Sequence, residues 1–309
     1  MSESAVQINQ LSKRFGRNKV LKPLDLTVPI GSIFGLVGMN GAGKTTLIRM
    51  IMGHLHPSGG NITVLGQGPW YCPESVRSRI AYVSENMNLP RYMTPEKAVA
   101  LGAKIYSQWD APLAERLLDD FDLRGKGAFK TLSKGQKRKV CILLAICQNA
   151  DLLVMDEPAS GLDVVARREF LDQVLETACR PGRTVLLSSH LLSDLERVID
   201  RLAMIHQGRL VMTGDLESLK SSVRKIHFQA KVTEEELQDL FHVVRVEPSQ
   251  ADETLVTVTD FTQEKMDRLI ACSPQAQNAD VMALNLEDIF VELAGSKSTV
   301  NPMPQEVLS

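Results

Sequence analysis

What this sequence lacks narrows its chemistry before any motif is read. No apolar run approaches the roughly 20 residues that a membrane-spanning helix needs; the most apolar candidate, 140–147, lies between Lys139 and Gln148. The opening Met1-Ser2-Glu3-Ser4 carries an acid where a secretory signal would carry bases followed by an apolar stretch. The expectation is a soluble, cytoplasmic chain that deals with a membrane only through a partner. Cysteine is scarce and odd in number: Cys72, Cys141, Cys147, Cys179 and Cys272 include no C-x-x-C pair, which argues against a disulfide framework and for buried free thiols in a reducing compartment. His54 and His56 stand two apart with no third ligand in view, so they read as surface residues. Charge excess is missing too. With 35 Lys and Arg against 37 Asp and Glu, the chain has no electrostatic footprint for nucleic acid or anionic lipid.

What is present is ordinary globular material, 309 residues with 44% hydrophobic and 23% charged, enough for one large domain or two. The stretch that organises it is Gly38-Met39-Asn40-Gly41-Ala42-Gly43-Lys44-Thr45-Thr46. An apolar run of strand type, 33–37, precedes it and a helical pattern, 47–52, follows. In a strand, glycine loop, helix order, the glycines let successive backbone N–H groups turn inward on a polyphosphate, and the helix adds its unpaired donors and dipole. Lys44 then reaches the β- and γ-phosphates, and the Thr45 hydroxyl is a Mg²⁺ ligand. The alternative for the bare pattern is a tight turn that uses glycine only for backbone freedom, and the flanking strand and helix weigh against it.

Along the chain, alternation predicts strands at 6–9 and 24–30. They are joined through a loop at 11–16 that carries Phe15, an aromatic that packs in a core more often than it stacks on a base. Strands follow at 62–66 and 80–83, the latter stopping at Ser84-Glu85-Asn86. From 94 to 129 the pattern is helical, with Thr94-Pro95 as cap and first residue and Leu113, Leu117, Leu118 and Phe121 at helical spacing. Leu132-Ser133-Lys134-Gly135-Gln136 precedes a long helix through 140–146. The run 151–155 reads as a central parallel strand. It ends on Asp156-Glu157-Pro158, where open α/β sheets bind ligands. Ser160-Gly161-Leu162-Asp163 follows, then a helix with Phe170, Leu171, Val174 and Leu175 on one face. A strand at 184–187 ends on Ser188-Ser189-His190, and 202–205 with 209–212 read as a hairpin. Composition changes near Ser221-Ser222. Beyond it the order β-α-β-β-α-β suggests a small ferredoxin-like unit with strands at 226–232, 243–246, 254–258 and 281–284 and helices at 234–241 and 263–272. Asn285 caps a last helix at 286–293. The tail, 296–309, reads as disordered.

These motifs, in this order and spacing, resemble the nucleotide-binding subunit of an ABC transporter over roughly 5–220. The resemblance implies an α/β P-loop NTPase cassette over 1–220, with a β subdomain and a helical insert at about 88–135, followed by a small α+β domain at 221–295. It implies ATP and Mg²⁺. The phosphates fall to Gly38, Asn40, Gly41, Ala42, Gly43, Lys44, Thr45 and Thr46, the metal to Thr45, Asp156 and Glu85, and the catalytic base to Glu157. His190 matches the switch histidine and Phe15 the adenine platform. Ser133, Gly135 and Gln136 match the signature that closes on the ATP of an opposite cassette, so a second copy of the chain is implied, with Asp163 in the loop that couples the two sites. Lys134 and Gly161 depart from the family's frequent glycine and alanine. Glu85 departs more seriously, standing where most cassettes have glutamine. The ending 285–295 is similar to that of ABC-2-type export ATPases, which implies a separate polytopic permease and export. Import, or a soluble ABC ATPase acting on ribosomes or DNA, is the alternative. Relatives of the soluble kind carry two cassettes or long coiled coils, and this chain has neither.

Overall fold

The computed structural model describes residues 4–162, 164, 167, 168, 170–172, 175, 180–249 and 252–295. The chain divides into two compact units, residues 1–199 with 207–209 and residues 200–206 with 210–309. The expected couplings of Asp163 and the expected disorder of 296–309 fall outside the described residues, as do Cys179 and Val174.

The strands of the first unit are β1 (Ser4–Phe15), β2 (Asn18–Pro29), β3 (Ile33–Val37), β4 (Gly59–Val64), β5 (Ile80–Val83), β6 (Leu152–Asp156) and β7 (Thr184–Ser189). One sheet is antiparallel, in the order β2-β1-β4. Here the sequence expectation needs correcting. Residues 11–15 form strand, not loop, and the partner strand starts at Asn18. An irregularity near Gln10, whose φ is 49°, resets the register, so the strand continues past the break in alternation. Gly60 fits that irregularity because a Cβ there would lie 2.2 Å from the Gln10 carbonyl oxygen.

The other sheet of this unit runs β5-β6-β7-β3, every pair parallel. β6 and β7 are buried along their whole length, as expected of apolar strands covered on both faces. Parallel pairing brings all four C-terminal ends to one edge of the sheet. The phosphate-loop sequence, Glu85, the Asp156-Glu157 pair and His190 therefore converge through topology alone.

Between β5 and β6 the chain is helical: Pro95–Ile105, Ala111–Asp120 and Lys134–Cys147. Each start is capped locally. Thr94 Oγ1 accepts from Lys97 N at 3.3 Å, Asp110 Oδ1 from Leu113 N at 3.0 Å, and Ser133 Oγ from Gln136 N at 3.1 Å while Gln136 Oε1 accepts from Ser133 N at 3.0 Å. Among the described residues, no helix is long and apolar enough to cross a membrane.

In the second unit, β8 (Arg201–His206) and β9 (Arg209–Asp215) lie side by side. The composition change near Ser221 lies in a helix not foreseen from the sequence, Leu216–Ser222, whose start is capped by Asp215. β10 (Arg224–Phe228), β11 (Val243–Pro248), β12 (Thr254–Val258) and β13 (Asp280–Ala283) form an antiparallel sheet in the order β11-β12-β10-β13. Helices Glu234–Leu237 and Gln263–Cys272 bury Leu237, Met266 and Leu269 against Ile226, Phe228, Val256 and Val258. The first and third of these four strands, β10 and β12, sit in the middle, the interleaving of a ferredoxin-like split unit. The expected strand 226–232 is shorter and the first helix is a single turn. Cys272 is exposed, not buried, because it ends its helix at the surface. Asn285 caps the last helix, Leu286–Gly295, by accepting from Asp288 N at 2.8 Å.

Candidate functional site

The chain leaves β3 at Val37 and re-enters helix at Lys44. Gly43 has φ 113°, and a Cβ on it would sit 2.5 Å from Leu21 Cδ2. Only glycine meets both demands. Lys44 is 5% exposed and its ammonium donates to the carbonyls of Gly38 at 2.6 Å and Met39 at 3.4 Å, so it lies across the loop. The loop forms the floor of a cavity of about 340 Å³ lined by residues 39–46 together with Val20, Glu85, Glu157, Ser160 and His190. That size lies within the range of small-molecule sites.

The register of β6 with β7 sets Asp156 opposite Ser188. Ser188 Oγ donates to Asp156 Oδ1 at 2.6 Å and accepts from Glu157 N at 3.0 Å. Thr45 Oγ1 donates to the same Asp156 oxygen at 3.3 Å. Asp156 Oδ2, fully buried, has no hydrogen-bond partner. Glu157 has φ 48°, an unusual conformation for a residue with a side chain. Its Oε2 lies 2.8 Å from His190 Nδ1 and its Oε1 3.2 Å from Lys44 Nζ. The lysine contact is an ion pair rather than an aligned hydrogen bond, since Oε1 has no hydrogen-bond partner. Nearby, Tyr82 is pushed up to about 12 by burial and then by the charge of Asp156, so its hydroxyl stays protonated.

The structure thus brings together residues 39–46, Glu85, Asp156, Glu157 and His190. Ser133, Gly135 and Gln136 do not line this cavity. They form an exposed to half-buried helix start, with Ser133 Oγ engaged as an acceptor and its hydroxyl hydrogen still able to donate. Phe15 is 50% exposed at the end of β1, with Lys13 Nζ 4.9 Å above its ring. The departures at Lys134 and Gly161 belong together: a Cβ at Gly161 would lie 2.5 Å from Lys134 Nζ, so the lysine stem occupies the space an alanine would fill.

Two residues of the site escape the motif reading. One is Ser188. The other is Arg138, 8% exposed, which donates from Nη1 to the carbonyls of Ser84 at 2.6 Å and Glu85 at 3.0 Å. Its Nε donates to Pro158 O at 2.9 Å and its Nη2 to Asp156 O at 3.0 Å and to Glu157 O. Burial pulls the guanidinium below its ordinary value, and the charges around it, Glu85, Asp156 and Glu157 among them, oppose that pull. No sequence signal singles it out, since it stands between Lys137 and Lys139 in a basic run.

The ABC transporter family model matches residues 21–160. The chain is 30% identical over 312 residues to the Nod factor export ATP-binding protein I of Burkholderia thailandensis, covering 96% of this chain and 98% of that one. This chain belongs to the ABC transporter family. A second ABC relative, an uncharacterized ABC transporter ATP-binding protein of Nostoc sp., is 35% identical over 218 residues, 68% of this chain and 64% of that protein. A solved ATP binding subunit of an ABC transporter superposes with a TM-score of 0.62 at 32% identity, over 71% of this chain and 92% of the other. As an ABC cassette, the chain binds ATP and is an ATPase.

Proposed function

We propose that this ATPase powers a separate polytopic permease at the cytoplasmic face of a membrane, for export, and that it works as a dimer of two copies. The observation that carries the reading is the meeting of Lys44, Glu157 and His190 inside the phosphate-loop cavity. The loop N–H groups and Lys44 hold the phosphates. Glu157 polarises the attacking water, a contribution typically of about 10²–10⁴ in rate. His190, hydrogen-bonded to Glu157, faces the γ-phosphate end and Phe15 offers its exposed ring to the adenine.

The donor set fits Mg²⁺: a threonine hydroxyl and a buried carboxylate converge, and that carboxylate has an oxygen without a partner. Thr45 and Asp156 would hold the ion, with Glu85 a further ligand from the cavity wall, in keeping with a metal that takes few protein carboxylates. When bound, the ion neutralises charge on the β- and γ-oxygens.

The capped helix start at Ser133, Gly135 and Gln136 is an anion site of the usual kind, and it does not line the chain's own cavity. A second copy supplies the cavity that it would close, which supports two composite sites related by symmetry. On this reading residues 1–220 are the ATP-binding domain, with its helical insert at about 88–135, and 221–295 a separate small domain. Export rests on the Nod factor export relative, which is similar along nearly its whole length. The test is purification of the chain from its own membranes. A polytopic membrane protein is expected to co-purify, whereas ribosomes in its place would shift the reading to a soluble ABC ATPase.

A further inference from the structure

Among the buried residues of helix Lys134–Cys147, Arg138 is the one with a charge. A guanidinium has five N–H donors in a rigid fork. Here they meet five acceptors, all of them main-chain carbonyls: Ser84 and Glu85 at the end of β5, and Asp156, Glu157 and Pro158 at the end of β6. Burying a cation without a carboxylate against it is unfavourable unless every donor is used, and in this position every donor is. The arrangement therefore does something other than neutralise a charge.

What it does follows from the backbone it grips. Glu157 sits at φ 48°, a left-handed conformation that is unfavourable for a residue with a Cβ and persists only where surroundings over-determine it. Its N–H is held by Ser188 Oγ at 3.0 Å, and its carbonyl and the two flanking carbonyls are held by Arg138. With the peptide groups on both sides of its Cα fixed, the side chain leaves the turn toward Lys44 and His190. The same guanidinium fixes the backbone of Glu85, whose side chain lines the phosphate cavity.

We infer that Arg138 is a positioning residue for hydrolysis. It holds the strained turn that aims Glu157, and it ties that turn to the Ser84-Glu85 turn so that neither moves without the other. The inference rests on the proposed role of Glu157 as the base.

The test compares R138K and R138M with the parent full-length chain. Each is measured for folding by thermal melting, for ATP affinity by binding of a fluorescent ATP analogue, and for kcat and KM. Lysine keeps the charge and has three donors, so it replaces at most three of the five hydrogen bonds. A misplacement of about 1 Å at a reacting group costs on the order of 10²-fold in rate. The expected result is a kcat about 10²-fold lower in R138M, with R138K between it and the parent, and with KM and ATP affinity unchanged, the pattern of a loss felt only in the transition state. A parent kcat in R138K overturns the inference, as does a rise in KM at unchanged kcat. Failure of both variants to fold overturns it too, by assigning Arg138 to stability. E157Q is run beside them. If it hydrolyses ATP normally, the base has been misassigned; if it is inactive while R138K keeps parent kcat, only the Arg138 inference fails.

Discussion

Ser188 serves the two carboxylates with a single hydroxyl, donating to Asp156 and accepting from the Glu157 amide in a position that solvent does not reach. Ser188→Ala leaves a buried N–H and weakens the hold on Asp156. A stability loss of about 1–3 kcal/mol is expected, read as a lower melting temperature, together with slower ATP hydrolysis. An unchanged melting temperature and rate would show that the hydroxyl is dispensable. Glu85 is the residue whose chemistry departs most from the family pattern. It is exposed on the cavity wall, and as a carboxylate it brings a charge that glutamine does not. Glu85→Gln is expected to shift the Mg²⁺ concentration needed for half-maximal hydrolysis. If the Mg²⁺ dependence stays the same, Glu85 is only a solvated acid.

At the scale of elements, what could be read from the sequence is what is local. Thr94, Ser133 and Asn285 mark helix starts because a cap binds an amide three residues ahead. The phosphate loop is legible because its glycines and Lys44 are contiguous. Arg138 is not, since its acceptors lie 18 to 20 and 53 to 54 residues away and no spacing announces them. The strand through Phe15 was hidden by the irregularity at Gln10, which breaks the alternation by which strands are recognised. The loop's geometry also makes a prediction of its own. Gly43→Ala forces a Cβ into Leu21 at an unfavourable φ, so nucleotide binding should be lost; retained binding would show that the loop can shift. In the second unit, Lys225 Nζ joins the last helix to the sheet, 2.7 Å from Glu292 Oε1 and 3.1 Å from Glu247 Oε2. Burial alone would lower the Lys225 pKa, but its hydrogen bonds to Glu292 and Glu247 outweigh burial and raise it. A raised lysine contributes stability that is fully present below its unfolded value, about 10.4, and is lost as pH rises through the folded one. Alkaline unfolding should therefore steepen above about pH 10.4 in the parent and lose that component in Lys225→Met, which should also be less stable at neutral pH, by less than the about 3–5 kcal/mol of a buried charge left unpaired, because Arg245 still lies 2.6 Å from Glu247 and 3.7 Å from Glu292. Identical alkaline profiles would remove this bridge from the account.

For the whole molecule, convergence of four parallel strand ends explains why one edge of a sheet holds the glycine-rich loop, Asp156, Glu157 and His190 together. It also leaves Ser133 and Gly135 outside the cavity they resemble a lid for, and on the proposed reading a second copy resolves this. Stability of such a dimer depends on ATP that persists, so blocking hydrolysis while keeping binding should trap it. The most direct measurement is therefore the oligomeric state and turnover of E157Q in ATP and Mg²⁺. The account predicts ATP binding like that of the parent, hydrolysis nearly abolished, and a dimer that forms on ATP and disperses when the nucleotide is removed. Normal turnover, or a chain that binds ATP and stays a monomer, would contradict it.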